Sequence, residues 1–285
     1  MKQSDRVAYF RQLHTKRPLI LPNAWDAASA RVIELAGAMA IATTSAGVSW
    51  TFGRSDGQKL RREEMIQAIR NIVQTVAIPV TADVEGGYGS GSTHDVAETV
   101  KAVIAIGAAG INLEDSPGRS GQALLTPAEH AERIRAARET ASATGGDLVI
   151  NARTDVYLFQ VGAPETRFDA AVQRANLYHA AGADCLFVPG VIDADTIAAL
   201  ARAINGPLNI MAMAGAPSAP QLGQLGVARV SVGSALTQAA LATAQRAARE
   251  LLEQGTYSTL EDSLPFGEIN GMFAHRPVLQ GANVA

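Results

Sequence analysis

Two carboxylates, Asp83 and Glu85, follow a short β-branched stretch and precede a run of glycines. Side chains alternate along a strand, so carboxylates two residues apart point the same way where the chain stays extended. Hard oxygen ligands of this kind suit Mg²⁺, which binds one or two carboxylates and keeps waters for a substrate. We therefore interpret the pair as a candidate Mg²⁺ site, with a capped polar loop as the alternative.

Three further carboxylates, Asp56, Glu114 and Asp115, stand where other predicted strands end or in the loops beyond them. Clustered carboxylates repel one another unless a cation joins them. A divalent cation accounts for the cluster, and we assign Asp83 and Glu114, on neighbouring predicted strands, to that cation. Arg153 follows the fifth strand and can bind a substrate carboxylate through two hydrogen bonds.

Strand-like and helix-like stretches alternate along the whole chain. Strands are predicted near residues 19–22, 40–44, 78–83, 110–114, 148–152, 184–188, 208–212 and 229–232. Eight strand–helix units within about 250 residues predict a closed (β/α)₈ TIM barrel of the α/β class. A doubly wound open sheet is the alternative, but no Gly-x-Gly-x-x-Gly motif follows the first strand. Asp26 and Asp155 are interpreted as helix caps, and Thr126 with Glu129 as a capping box.

No linker divides the chain, so residues 1–255 are predicted to form the barrel. Residues 256–285 carry several prolines and glycines and are predicted to form an irregular or helical tail. Apolar residues in this tail, among them Phe266 and Phe273, predict that it docks on the barrel or on a neighbouring subunit.

The composition excludes several classes of function. The chain of 285 residues has a net charge of -3 at pH 7, which gives no electrostatic reason to bind nucleic acid. No apolar run is long enough to span a membrane, and the first residues do not form a signal peptide. The single cysteine, Cys185, excludes a disulfide framework and is interpreted as a buried thiol. These features predict a cytoplasmic enzyme with a small-molecule substrate.

A collinear series of motifs over about residues 18–235 resembles the isocitrate lyase/phosphoenolpyruvate mutase superfamily. The motifs include Leu21-Pro-Asn-Ala-Trp-Asp26, Thr44-Ser45-x-Gly47, Asp56-Gly57, Ala82-Asp83-x-Glu85-x-Gly-Tyr88-Gly89, Ile111-Asn-Leu-Glu114-Asp115, Asn151-Ala-Arg153-Thr154-Asp155 and Pro189-Gly190. The resemblance implies a (β/α)₈ barrel, usually a homotetramer in which paired subunits exchange the eighth helix. It also implies Mg²⁺, a 2-oxo or 2-hydroxy carboxylate substrate, and an enolate or oxyanion intermediate.

The resemblance further implies a role for each acidic motif residue. Asp83 resembles the direct metal ligand, whereas Glu85 and Glu114 resemble carboxylates that hold the metal through waters. The metal is expected to be Mg²⁺, with Mn²⁺ as a substitute. Glu85 stands where the family usually has aspartate, so its longer side chain can ligate directly instead.

Other motif residues resemble the family's substrate contacts. They are the backbone N–H groups of Ser45, Ala46 and Gly47, Arg153, and Asn209 near the far end of the substrate. Asp56 resembles a loop aspartate near the metal, and it is a candidate catalytic residue together with Arg153 and Tyr88. Trp25, Trp50, Phe187 and Met211 either line that far end or pack the barrel, and the sequence leaves both interpretations open.

The loop after the fourth predicted strand departs from the family. It reads Ser116-Pro-Gly-Arg-Ser-Gly-Gln-Ala-Leu-Leu125, without cysteine, histidine or lysine. Members that cleave isocitrate use a cysteine of this loop as an acid, and the phosphonate branch has lysine where Ser116 stands. The glycines still favour a mobile lid.

A site without this acid favours a reaction whose bond cleavage needs no general acid. We therefore predict a Mg²⁺-dependent lyase most like oxaloacetate decarboxylase. The alternatives are a retro-aldol C–C lyase of the methylisocitrate lyase type that uses another acid such as Tyr88, a phosphonate P–C bond enzyme, and a keto-acid-binding protein without turnover.

Overall fold

Nine parallel strands joined by helices form the centre of the molecule. The computed structural model describes residues 3–15, 18–117, 124–144 and 146–274. The strands are β1 (Leu19–Leu21), β2 (Asn23–Ala24), β3 (Ile41–Thr43), β4 (Val80–Asp83), β5 (Gly110–Glu114), β6 (Val149–Arg153), β7 (Cys185–Phe187), β8 (Leu208–Met211) and β9 (Arg229–Ser231). Their order around the sheet is β1-β9-β8-β7-β6-β5-β4-β3-β2.

The sheet closes because β1 and β2 are two parts of one barrel strand, interrupted at Pro22. Proline has no N–H to donate to a ladder, so pairing breaks at that residue. The first part pairs with β9 and the second with β3. Eight strand positions therefore form a closed ring, and the predicted (β/α)₈ barrel is confirmed.

Helices surround the barrel and close one of its ends. They are α1 (Gln3–Leu13), α2 (Ala27–Leu35), α3 (Ser45–Thr51), α4 (Arg62–Thr75), α5 (Thr93–Ala105), α6 (Pro127–Ala143), α7 (Arg167–Ala180), α8 (Ala194–Ala203), α9 (Ala219–Gln224), α10 (Ala235–Gln254) and α11 (Phe266–Ala274). Short 3₁₀ turns span Pro164–Thr166 and Ser258–Leu260. Among the described residues, no helix is both long enough and apolar enough to cross a membrane.

The helix starts follow the capping signals of the sequence. Asp26 accepts a hydrogen bond from Ser29 N at 2.7 Å and caps α2, as predicted. Thr126 and Glu129 form the predicted capping box at the start of α6. These bonds satisfy N–H groups that a helix leaves unpaired in its first turn.

The helix α1 closes the end of the barrel at which the strands begin. Its residue Phe10 packs in a buried cluster with Leu19, Ala40 and Val149. Gly110 makes this possible, because a Cβ there would lie 3.1 Å from the ring of Phe10 and 2.7 Å from the Val149 carbonyl oxygen. The other end of the barrel, where strands end, is left for the site.

The helix α10 does not pack against the barrel as the other long helices do. Its side chains are almost all exposed, and Leu252 is 85% exposed. On the outer face of β1, Ile20 is 52% exposed and lies in an apolar groove of about 810 Å³ with Val32 and Met39. The described part of the chain therefore leaves this face of the barrel uncovered.

The helix α11 lies in the predicted tail and contacts α2. Arg31 Nε donates a hydrogen bond to the carbonyl oxygen of Met272 at 2.9 Å. Residues 275–285 fall outside the described residues, and the division of the chain at residue 255 stays a prediction.

Cys185 is buried in β7, as predicted, and burial raises the pKa of its thiol to about 11. The thiolate is the reactive form, so the folded protein at pH 8 holds Cys185 almost entirely as the unreactive thiol. We expect iodoacetamide to label the folded chain at least about a hundredfold more slowly than the urea-unfolded chain, followed by mass spectrometry. Equal labelling rates would contradict this placement.

Candidate active site

A cavity of about 210 Å³ opens inside the barrel where the strands end. It brings together six of the residues predicted for the site: Ser45, Ala46, Asp56, Asp83, Arg153 and Asn209. Barrel enzymes place their chemistry at this end of the strands, because the loops that follow converge there. The cavity is therefore the candidate active site.

Asp83 is a carboxylate of the cavity that hydrogen bonds hold on both of its oxygens. Its Oδ2 accepts a hydrogen bond from Ser45 N at 2.9 Å, and its Oδ1 accepts one from Asn112 Nδ2 at 3.0 Å. Asn112 is itself held, because its Oδ1 accepts from Asn151 Nδ2 at 3.0 Å. The backbone N–H of Asp83 donates to Thr43 Oγ1 at 2.8 Å. These bonds fix the orientation of the carboxylate inside the barrel.

The small-residue turn predicted at residues 45–47 is the first turn of α3. Thr44 caps this helix, and its Oγ1 lies 3.5 Å from Gly47 N. A side chain at Gly47 is excluded, since a Cβ there would lie 2.8 Å from Cβ of Trp25 and 2.6 Å from Thr237 Oγ1. The N–H of Ala46 belongs to the first helical turn, whose N–H groups lack carbonyl partners within the helix. It is therefore a donor available to a ligand in the cavity.

Arg153 is held between two buried carboxylates. Its Nη1 lies 2.9 Å from Glu114 Oε2, and its Nε donates to Asp155 Oδ1 at 2.6 Å. Its guanidinium lies over the ring of Phe187, 5.8 Å from the centroid. The interpretation of Asp155 as a helix cap is wrong, because this buried carboxylate orients Arg153 instead.

Burial and mutual repulsion raise the pKa of three acidic side chains around Asp83. Burial and then Asp83 raise the pKa of Asp56. Burial, Asp56 and Asp83 raise the pKa of Glu85 to about 8. Burial raises the pKa of Glu114 well above its usual range, although Arg153 opposes the shift. Without a further positive charge, these carboxyl groups are therefore disfavoured from all ionising together.

The donor set fits a hard divalent cation that is bound largely through water. Within the described ranges, no three His, Cys, Asp or Glu side chains converge closely enough to hold an ion directly. Asp83 lines the cavity, whereas Glu85 and Glu114 stand outside its lining. Mg²⁺ commonly takes one or two carboxylates and keeps several waters. Asp83 would hold it directly, and the positive charge of the ion would favour the ionised form of the surrounding carboxyl groups.

Glu85 and Tyr88 bond to each other beside the cavity. Tyr88 donates its hydroxyl to Glu85 Oε1 at 3.2 Å, and Gln58 N donates to Glu85 Oε2 at 2.5 Å. Both residues have positive φ angles, 48° and 63°, which are uncommon for residues with side chains. Burial and Glu85 raise the pKa of Tyr88 well above its usual range. The metal role of Glu85 and the acid role of Tyr88 stay predictions.

Asp115 does not join the carboxylate cluster. Its Oδ2 accepts hydrogen bonds from Arg174 Nη1 at 2.9 Å and from the Tyr178 hydroxyl at 2.8 Å, both on α7. The reason is strand alternation, which turns the residue after Glu114 away from the barrel interior. Its assignment to the site is therefore corrected.

Sequence reasoning missed one cation of the cavity, Arg229. The signal was present, because Arg229 and Ser231 lie two residues apart on β9 and therefore face the same side. Phe187 and Met211 line the cavity, which settles the open question for them, whereas Trp25 packs against the core. Most of the loop predicted as a lid, residues 118–123, lies outside the described residues.

Comparisons with known proteins give a consistent result. A family model described as phosphoenolpyruvate phosphomutase matches residues 10–252. An uncharacterised protein of Mycobacterium tuberculosis is 38% identical over 261 residues, which are 91% of this chain and 94% of that protein. The 2-methylisocitrate lyase of Escherichia coli is 32% identical over 212 residues, 72% of this chain and 69% of that enzyme. A solved structure of a candidate lyase/mutase from Burkholderia cenocepacia is 38% identical, with a TM-score of 0.89 and coverage of 96% and 97%.

The anchoring of Asp83 predicts its effect on metal binding. Asp83→Asn keeps the shape of the side chain and removes its charge, so we expect Mg²⁺ and Mn²⁺ affinity to fall by about tenfold or more. Calorimetric titration of the metal measures this. Asp147→Asn, at a half-exposed acid before β6 at the opposite end of the barrel, is the matched control and should bind metal normally. Equal affinities in both variants would refute the assignment.

Proposed function

Because the chain belongs to the phosphoenolpyruvate mutase/isocitrate lyase superfamily, we propose that it is a Mg²⁺-dependent C–C lyase. Its substrate is a small 2-oxo or 2-hydroxy dicarboxylic acid, cleaved through an enolate or oxyanion intermediate. The observation that carries the proposal is the cavity in which Asp83, held by Ser45 N and Asn112, lies with the guanidinium of Arg153. A cytoplasmic location stays a prediction of the sequence.

Each group of the chain has a task in this reaction. Arg153 pairs with the substrate carboxylate, while Glu114 and Asp155 hold its guanidinium in place. Ala46 N donates to the same carboxylate or to the adjacent oxygen. Mg²⁺, when bound, supplies positive charge that stabilises the developing oxyanion. Mn²⁺ is expected to replace it.

Decarboxylation of oxaloacetate is the leading reaction. In a β-keto acid, the electrons of the broken C–C bond move into the enolate and CO₂ leaves, so bond cleavage needs no acid. None of the described residues that line the cavity is a cysteine, histidine or lysine. This cavity suits a reaction in which such an acid has no part in the first step.

A retro-aldol C–C lyase is the second candidate. The similarity to the 2-methylisocitrate lyase of Escherichia coli favours it. That reaction needs a base that takes a proton from a hydroxyl and an acid that protonates the carbanion, and Tyr88 or a water would have to serve. Phosphonate chemistry has weaker support, since Ser116 stands where the phosphonate branch has lysine.

We further propose that two copies of the chain exchange α10, as the basis of a homotetramer. The groove around Ile20 is the position that an eighth helix covers in a closed barrel. The chain's own α10 instead exposes its apolar residues Leu241 and Leu251. An apolar helix and an apolar groove that are both uncovered in one chain fit each other in a pair.

The activity is tested by following pyruvate release from oxaloacetate with Mg²⁺, above the spontaneous and metal-only rates. We expect a metal-dependent rate that falls by about a hundredfold or more in Asp83→Ala, because the charge that holds the ion is removed. Removing the metal with a chelator should have the same effect on the wild type. No rate above background rejects oxaloacetate and directs the assay to 2-hydroxy diacids. Tight binding of 2-oxo acids without turnover of any of them would overturn the proposal in favour of a binding protein.

The exchange of α10 predicts the oligomeric state. Light scattering after size exclusion should show an oligomer for the wild type and monomers for Ile20→Asp, because a charge in the groove disfavours apolar docking. Phe159→Asp is the matched control, since Phe159 is 56% exposed but lies outside the groove. A monomeric wild type, or an Ile20→Asp variant of unchanged size, would refute the exchange.

A further inference from the structure

Arg229 lies deep in the barrel, between the cavity and α1. It is 2% exposed, and it heads the fully buried side chains of the described residues in size. Its guanidinium lies over the ring of Phe10, 5.9 Å from the centroid, and also lines the cavity that holds Asp83. A positive charge therefore stands at the floor of the candidate active site.

No described carboxylate is in ion-pair contact with this cation, although the charge of Asp83 in the same cavity acts on it. No ion pair within the described ranges involves Arg229, and its Nε and Nη1 make no hydrogen bond to any described group. Burial lowers the pKa of Arg229 to about 10, so the guanidinium stays charged at neutral pH. A buried charge is costly when nothing pairs with it. Arg153 and Arg174, by contrast, are each paired with a buried carboxylate.

A second unpartnered donor stands next to this cation. Asn209 pairs with Arg229 in the register of β8 and β9, so both side chains face the barrel interior. The Nδ2 of Asn209 has no partner among the described residues, while its Oδ1 accepts from Ser231 Oγ at 3.4 Å. Arg229 and Asn209 both line the cavity, and three of their nitrogens, two on the guanidinium and one on the amide, are buried without a partner. Such a group is complementary to a carboxylate.

We propose that Arg229, with Asn209, binds the second carboxylate of a dicarboxylate substrate and so determines specificity for dianions. The inference rests on the proposed function for the first carboxylate, which Arg153 and Ala46 N hold at the mouth of the cavity. A substrate with a methyl group in place of the second carboxylate leaves Arg229 buried and unpaired. Sites built to bond a polar group reject the analogue that lacks it for this reason.

The test compares ligands that differ only in the second carboxylate. With Mg²⁺ present, calorimetry measures the affinity for L-malate against 2-hydroxybutanoate, and for 2-oxoglutarate against 2-oxopentanoate. We expect the wild type to bind the dicarboxylate of at least one pair about tenfold or more tightly. Arg229→Met should lose this preference and keep its affinity for Mg²⁺ and for the monocarboxylates within about twofold.

A matched variant separates this role from a structural one. Arg133→Met removes another buried guanidinium with unpartnered nitrogens that lies outside the cavity, and it should keep the dicarboxylate preference. The melting temperature of ligand-free Arg229→Met should not fall, because an apolar side chain replaces an unpaired buried cation. Dicarboxylates should raise the melting temperature of the wild type and leave that of Arg229→Met unchanged.

Three outcomes would overturn the inference. The first is a dicarboxylate preference that persists in Arg229→Met, and the second is its absence in a wild type that binds Mg²⁺ and the monocarboxylates. The third is equal stabilisation of the wild type by sulfate or chloride, which would indicate an inorganic anion site. Binding is measured without turnover, so failure of the proposed lyase activity is a separate result.

Discussion

The site depends on one constraint, which is that several carboxylates are buried close together inside the barrel with few cations beside them. Asp56, Asp83, Glu85 and Glu114 come within mutual influence, and Arg153 neutralises part of their charge. Such a cluster is stable only where hydrogen bonds and a further cation compensate for burial. The backbone N–H groups of Ser45 and Gln58 and the amide of Asn112 provide those bonds. The positions of α3 and of the loop before α4 are thus tied to the carboxylates they bond.

Strand alternation decides which residues enter that cluster. On β5, Asn112 and Glu114 face inward, and the next residue, Asp115, bonds to α7 outside the barrel. The same rule aligns Asn151 with Asn112, and Arg153 with Glu114, across one register. A one-residue slip of β5 would place Asp115 where Glu114 stands and would break the contacts of the site. The apolar outer face of the strand, which fixes its register, therefore also keeps these contacts in place.

Much of this arrangement follows from the sequence, because local signals agree with the fold. The strand Gly110–Glu114, the helix Arg62–Thr75 and the cap at Asp26 lie where pattern and capping rules predict them. The failures have physical reasons. Asp155 is a residue type that often caps helices, but its carboxylate instead pairs with the side chain of Arg153, two residues earlier. The helix α3 is too short and too rich in small residues to show a helical period. No motif surrounds Arg229, and only its alternation with Ser231 along β9 indicates that it faces the barrel interior.

The two inward arginines illustrate how stability and function diverge inside one barrel. Arg153 is paired with two carboxylates through Nη1 and Nε, so its orientation is fixed before any ligand arrives. Arg229 is unpaired, so the ligand-free protein carries the unfavourable desolvation of a buried cation. The ring of Phe10 on α1 covers one side of that cation. The side-chain oxygen of Asn209 already accepts a hydrogen bond from Ser231. A ligand that brings negative charge to the floor therefore gains binding energy from the same imbalance that weakens the empty protein, which makes the dianion the species the cavity selects.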